Sequence, residues 1–129
     1  MPSEPAALAS AIAWVRQARH IAVLTGAGVS AESGVPTFRD AQTGYWAQFR
    51  AEDMATPEGF RAHPQQVWDW YQFRRSLVAQ VQPNAAHRAL AAFAQQHPGR
   101  ITLVTQNVDG LHQRAGSPQV LCLDRKSVV

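Results

Sequence analysis

The chain has 129 residues, 46% of them hydrophobic and 16% charged, the size and balance of one ordinary globular domain with a single core. Its net charge of +3 comes from eleven Arg and one Lys against nine acids, and the basic residues are scattered from Arg16 to Lys126 without a run, which argues for a solvated surface and against a nucleic-acid footprint. Cys122 is the single cysteine, so an internal disulfide and a CxxC metal knuckle are excluded, in keeping with a reducing cytosol.

From Met1 to His20 there is neither a basic leader ahead of a long apolar core nor the length of a membrane span, so a cytoplasmic protein without membrane contact is expected. Leu8, Ile12 and Val15 recur at helical spacing with Trp14 beside them, which predicts an amphipathic helix over 6–18. Ile21-Ala22-Val23-Leu24-Thr25 is a short, largely β-branched run closed by glycine, the pattern of a strand buried on both faces of a parallel sheet. After a glycine-rich turn, no period is sustained between Pro36 and Pro57, and a long, partly irregular segment is expected there, of a kind often functional when ordered. Val67, Trp68, Tyr71, Leu77, Val78 and Val81 predict a helix from Pro64 to about Gln80; Pro83-Asn84 ends it, and Asn84 is suited to cap a second helix to about Gln96. Pro98-Gly99 breaks the chain, after which Ile101-Thr102-Leu103-Val104-Thr105 and Val120-Leu121-Cys122-Leu123 read as two more strands. Strands alternating with helices give an α/β fold on a parallel sheet, in one domain over 1–129.

Gly26-Ala27-Gly28-Val29-Ser30-Ala31 satisfies G-x-G-x-x-G/A directly after a predicted strand. In that motif the first glycine permits a tight turn, the second lets the backbone approach a pyrophosphate, and a small third residue packs against the sheet. Backbone N–H groups of such a turn attract an anion. The spacing by itself suits an ordinary tight turn equally well. The continuation is less common: Gly34 and Pro36 forbid a long helix, and Thr37-Phe38-Arg39-Asp40 follows. Further on, Thr105-Gln106-Asn107-Val108-Asp109-Gly110-Leu111-His112 sets carboxamides and a carboxylate at the C-terminal end of a strand, the edge along which open α/β sheets bind ligands. Asn107 and Asp109 are also suited to capping the helix that starts beside them, and Arg39-Asp40 to a surface ion pair.

Taken in order, Gly26 to Ser30, Gly34-x-Pro36-x-Phe38-Arg39, and Gln106-Asn107-x-Asp109-x-Leu111-His112 with Ala115-Gly116 resemble the signature blocks of the sirtuins, NAD-dependent protein-lysine deacylases. The resemblance runs from about His20 to about Leu123. It implies a Rossmann-like parallel sheet with helices on both faces and part of a small helical domain, residues 36–82 carrying the cofactor-binding loop and the small-domain helices. It implies NAD as cofactor, its phosphates cradled by Gly26, Ala27, Gly28 and Ser30, with Phe38 and Arg39 over the ribose and nicotinamide and Gln106, Asn107 and Asp109 lining the nicotinamide pocket. Glu32, Trp46 and Val108 are assigned to the same cofactor site. The substrate implied is an acyl-lysine protein or peptide. Tyr71 and Arg74 share a face of the predicted helix, and the pair resembles the Tyr-x-x-Arg element with which sirtuins that remove succinyl and malonyl groups read the acyl carboxylate, a task suited to a guanidinium fork and a phenol. Without the resemblance, the pair reads as a half-buried Tyr and a solvated Arg. Trp68, Trp70 and Phe73 are expected to pack; His87 to be structural at a helix start; His112 not to be the catalytic base; and His20, His63 and His97 to be surface or turn residues.

The resemblance ends after Leu123. Sirtuins place a general-base histidine there, in a His-Gly pair, whereas this chain has Asp124-Arg125. A carboxylate with an unperturbed pKa of about 3.9 is a poor base unless burial raises it. The four zinc cysteines that the resemblance implies for a complete sirtuin have no counterpart. A truncated or frameshifted chain, lacking the zinc module and inactive alone, is therefore expected, with an apolar sheet edge that invites association with another chain. Three rival readings stay open: a non-catalytic NAD-binding module, a nicotinamide- or flavin-dependent oxidoreductase resting on the glycine turn alone, and a gene fragment with no activity.

Overall fold

The computed structural model describes residues 3–36 and 44–123. Helix α1 (Glu4–Gln17) leads into strand β1 (Ile21–Thr25) and a 3-10 helix (Ala27–Ser33). A second 3-10 helix (Gly44–Gln48) is followed by α2 (Ala51–Met54), α3 (Pro57–Ala62), α4 (Pro64–Gln80) and α5 (Ala85–Gln96), and then by β2 (Ile101–Thr105), α6 (Leu111–Arg114) and β3 (Leu121–Cys122). β1 pairs in parallel with β2 from Ile21↔Ile101 to Thr25↔Thr105, and β2 in parallel with β3 at Val104↔Leu121 and Thr105↔Cys122, giving the order β1-β2-β3. Parallel neighbours need crossover connections, which α2 to α5 and then α6 provide. The expected α/β architecture on a parallel sheet is therefore present, as an open three-stranded sheet.

Local chemistry accounts for the helix starts. The Thr56 hydroxyl accepts from Gly59 N at 2.9 Å ahead of Pro57, and Pro64 opens α4, both prolines sitting where a helix needs no N–H. α5 begins with a reciprocal capping box: Asn84 Oδ1 accepts from Ala86 N and His87 N, while Asn84 N donates to His87 Nδ1 at 3.1 Å. Histidine here takes the part usually played by Glu or Gln.

Two packed regions result. Ala51, Met54, Val67 and Trp70 form an apolar cluster that fastens α2 to α4, with Trp46 and Phe49 packed against it and Phe73 stacked on Trp46 at 6.0 Å. The second region lies where the sheet meets α5 and α6 and is unusually polar, burying Thr25, Ser30, His87, Thr105 and His112 beside Leu103 and Leu111.

Several expectations need correction. α1 is a helix, but it buries no residue, and Leu8 and Trp14 are 61% and 72% exposed. What ties it down is its backbone: the Arg100 guanidinium donates to Val15 O and Ala18 O, filling last-turn carbonyls that have no partner within the helix. β1 is not buried on both faces, since Leu24 is 70% exposed and no described residue covers it. β3 is two residues long instead of the four over 120–123. Within 36–57 the expected partly irregular segment carries two short helical turns, Gly44–Gln48 and Ala51–Met54, too short to show a period. Because Trp70 is fully buried at the centre of the apolar cluster, Trp70→Ala is expected to lower unfolding free energy by about 3–5 kcal/mol, measured by urea titration of tryptophan fluorescence.

Candidate functional site

β1 and β2 end side by side at Thr25 and Thr105, and the chain leaves both through turns at the same sheet edge. Those turns are bonded to each other. Gln106 N donates to Thr25 O at 3.1 Å, Asn107 N to Thr105 Oγ1 at 3.1 Å, and Asn107 Nδ2 to Gly26 O at 2.8 Å. Ser30, fully buried, donates its hydroxyl proton to Asp109 Oδ2 at 2.6 Å, while Asp109 Oδ1 accepts from Leu111 N at 2.9 Å and so starts α6. Asn84 Nδ2 joins α5 to the same turn through Val29 O at 2.7 Å.

The proton positions follow from these partners. Since Asn84 N–H points at His87 Nδ1, the imidazole proton is on Nε2, facing Ser30 Oγ at 3.3 Å. Thr25 donates its hydroxyl proton to Thr105 Oγ1 at 2.8 Å, so His112 Nε2–H donates to Thr25 Oγ1, also at 2.8 Å. His112 Nδ1 is then an unprotonated nitrogen, buried and without a hydrogen-bond partner among the described residues. The two rings meet edge to face at 4.9 Å. Burial lowers the pKa of His87, with Asp109 opposing and Arg88 adding to the effect; burial and then the His87 charge lower that of His112, with Asp109 opposing. Both imidazoles therefore sit neutral inside the fold.

The glycine turn works by space. Gly26 has φ −135° and ψ −164°, extended backbone open to any residue, so the expected tight-turn role is corrected. A Cβ there would lie 2.5 Å from Gln106 Nε2 and push that side chain aside. Beyond its chain neighbours, a Cβ at Gly28 would meet no atom of the described residues within 4 Å. The small third position, Ala31, is exposed; the residue that packs is Ser30.

A cleft of about 730 Å³ opens between these turns and α4. Of the residues assigned to the cofactor, it is lined by Ala27, Ser30, Gln106, Asn107, Val108 and Asp109, and it is also lined by Tyr71 and Arg74. Gly26 and Gly28 flank Ala27 in the turn; Glu32 is exposed on the 3-10 helix, and Trp46 belongs to the aromatic cluster with Tyr45, Phe49 and Phe73. Phe38, Arg39 and Asp124 lie outside the described residues. The Arg74 guanidinium donates to Pro36 O at 3.1 Å and lies 5.2 Å over the Trp70 ring; burial lowers its pKa, against the influence of Tyr71, yet a guanidinium keeps its charge. Val35, Pro36, Arg75, Val78, Ala79 and Arg114 also line the cleft. Pro36 belongs to the Gly34-x-Pro36 block, but no spacing in the sequence marks the others for the cleft, because they reach it through the tertiary fold. His87 and His112 are not in its described walls. Among the described residues no three His, Cys, Asp or Glu side chains converge to hold a metal, and no helix is long and apolar enough to cross a membrane.

Residues 26–124 match the Sir2 family. The chain belongs to that family. It is 63% identical over 119 residues to the NAD-dependent protein deacylase of Ralstonia nicotianae, a match covering 92% of this chain and 48% of that protein. The NAD-dependent protein deacylase of Methylococcus capsulatus is 61% identical over 82% of this chain and 41% of its own length. Among solved structures, a Sir2 homologue in complex with NAD superposes with a TM-score of 0.79 at 44% identity, covering 89% of this chain and 44% of the other. Sir2Tm bound to a propionylated peptide gives 0.72 at 31% identity, over 90% and 44%. The chain thus spans about half the length of the curated relatives it matches.

The buried imidazoles set a pH dependence. Unfolded histidines protonate near pH 6.5 and the folded pair lower, so between those values the unfolded chain binds more protons. Folding stability is expected to be full above about pH 6.5 and to fall as the pH drops from there towards the depressed folded values. Urea midpoints across that range check this, and His112→Gln should flatten the decline.

Proposed function

We propose that this chain forms the NAD-binding half of an NAD-dependent protein-lysine deacylase, with a cleft wall that reads acidic acyl groups. The observation that carries the reading is that one cleft brings together three stretches far apart in sequence: the glycine turn, Gln106 to Asp109, and the Tyr71–Arg74 face of α4. Family membership and deacylases among the relatives support it. In the same reading, residues 36–82 carry the cofactor loop and small-domain helices, and the protein is cytoplasmic.

The residues present fit a dinucleotide. The empty space beside Gly28 leaves room for a pyrophosphate against the backbone, and the carboxamides of Gln106 and Asn107 suit the amide of nicotinamide. When bound, NAD supplies the ADP-ribose that accepts the acyl group as nicotinamide leaves. Asn107 holds the turn through Gly26 O, and Ser30 orients Asp109. Arg74 and Tyr71 bind the distal carboxylate of a succinyl- or malonyl-lysine by charge-assisted hydrogen bonds. Zinc does not fit any cluster of described side chains, and no step is assigned to it.

Gly28→Val tests the cofactor site. It should leave the thermal midpoint nearly unchanged, since no described residue beyond the chain neighbours lies within 4 Å of the new Cβ, and abolish NAD binding measured by ligand-detected NMR; equal binding by both proteins would remove the assignment. Arg74→Met should weaken a succinyl-lysine peptide by about 2–5 kcal/mol and leave an acetyl-lysine peptide nearly unaffected, because only the former strands a carboxylate. Equal losses in calorimetry would make Arg74 structural.

A further inference from the structure

We infer that Arg114 is a positioning residue that sets the spacing between the two walls of the cleft, so that a ligand on one wall is felt at the other. The inference rests on the functional reading above for the identity of the ligands, but its geometric part stands on the structure. α4 packs chiefly on α3, and α6 on α5, so packing alone does little to join the helix that carries Tyr71 and Arg74 to the turn that carries Asp109. Arg114 makes that join. From the end of α6 its Nη2 donates to Val81 O at 2.6 Å and its Nη1 to Val78 O at 3.3 Å.

These two carbonyls close α4. Val81 is the helix's C-cap, and its own N–H reaches Val78 O at a long 3.4 Å, leaving the last turn with acceptor capacity that a cation at the negative end of the helix dipole fills well. A planar fork that engages two carbonyls at once fixes orientation as well as distance, which a lysine's single ammonium does less well. The other end of the lever is equally firm: α6 starts on the Asp109 carboxylate, and Leu111 and His112 are 0% and 1% exposed. Arg114 also lines the cleft, yet both terminal nitrogens are committed to α4. Two of its five N–H donors thus hold the wall, which is its part in the inference.

Walls joined through one residue shift together, so a ligand that biases the position of one wall biases that of the other. In the full chain, NAD affinity should rise about fivefold or more when a succinyl-lysine peptide is saturating, the size of an ordinary coupling between sites. Arg114→Met should bring that factor close to one while each ligand alone loses less than about threefold, a pattern that general destabilisation would not give. Should the Met variant fail to fold, Arg114→Lys keeps the cation and serves the same comparison, with the coupling reduced. The geometry is read independently by spin labels on Gln72→Cys and Gln113→Cys in a Cys122→Ser background, where loss of Arg114 should broaden the α4–α6 distance distribution. Unchanged distances, or coupling that survives without Arg114, would overturn the inference; so would NAD and peptide binding independently in the wild type. Failure of NAD to bind at all would overturn the functional reading and the coupling with it, leaving the spin-label result to decide whether Arg114 holds the wall.

Discussion

The hydroxyl of Ser30 is the point through which the sheet edge is organised. It is fully buried, gives its one proton to Asp109, and accepts from His87 Nε2 and, at 3.4 Å, from Asn107 Nδ2. Its partners come from the start of α5 and the turn after β2, while Ser30 itself follows β1. A hydroxyl in that position can be replaced by no apolar group without leaving a carboxylate, an imidazole and a carboxamide short of the partner it supplies. The three segments are therefore set together or not at all.

That choice of a polar core has a structural consequence. Apolar contacts tolerate sliding, whereas a chain of directed bonds from Asn84 through His87 and Ser30 to Asp109 fixes distance, tautomer and proton direction at once. The apolar cluster of Ala51, Met54, Val67 and Trp70 lies on the other side of the cleft and stabilises α4 from within. Between the two regions the bonds run from long side chains to backbone: Arg74 to Pro36, and Arg114 to Val78 and Val81. A cleft built this way has firm walls and a junction that depends on a few polar contacts.

Much of the fold was legible because its signals are local. β-branched runs marked β1 and β2, Pro64 and Asn84 marked the starts of α4 and α5, and Gly34 with Pro36 ruled out a long helix after the glycine turn. The features that escaped are those set by tertiary contact. Periodicity foretold α1 but not that its apolar side would stay exposed, and nothing in Ile21 to Thr25 tells how many faces of the strand are covered. Gly26 was read through backbone freedom, while its backbone is extended and the nearest atom to a Cβ there is the movable end of Gln106, eighty residues away. Arg114 was invisible for the same cause, since its partners lie on a helix more than thirty residues earlier.

The two readings of Asn107 and Asp109, as helix and turn caps or as ligand contacts, are compatible in chemical terms. The N-cap of α6 is Gly110, but Asp109 accepts from Leu111 N at the helix start, whereas Asn107 bonds to Gly26 O and not to the helix. A carboxylate accepts about four hydrogen bonds, and the two that Asp109 receives from Ser30 and Leu111 leave capacity on both oxygens. Asn107 commits its NH2 group to Gly26 O and Ser30 Oγ, while its carbonyl oxygen has no hydrogen-bond donor among the described residues. Internal bonds of this kind immobilise each group before a ligand arrives, so less ordering remains to oppose binding. Gly28 complements this: no described residue beyond its chain neighbours lies within 4 Å of where its side chain would start, which leaves that side of the turn open to a ligand.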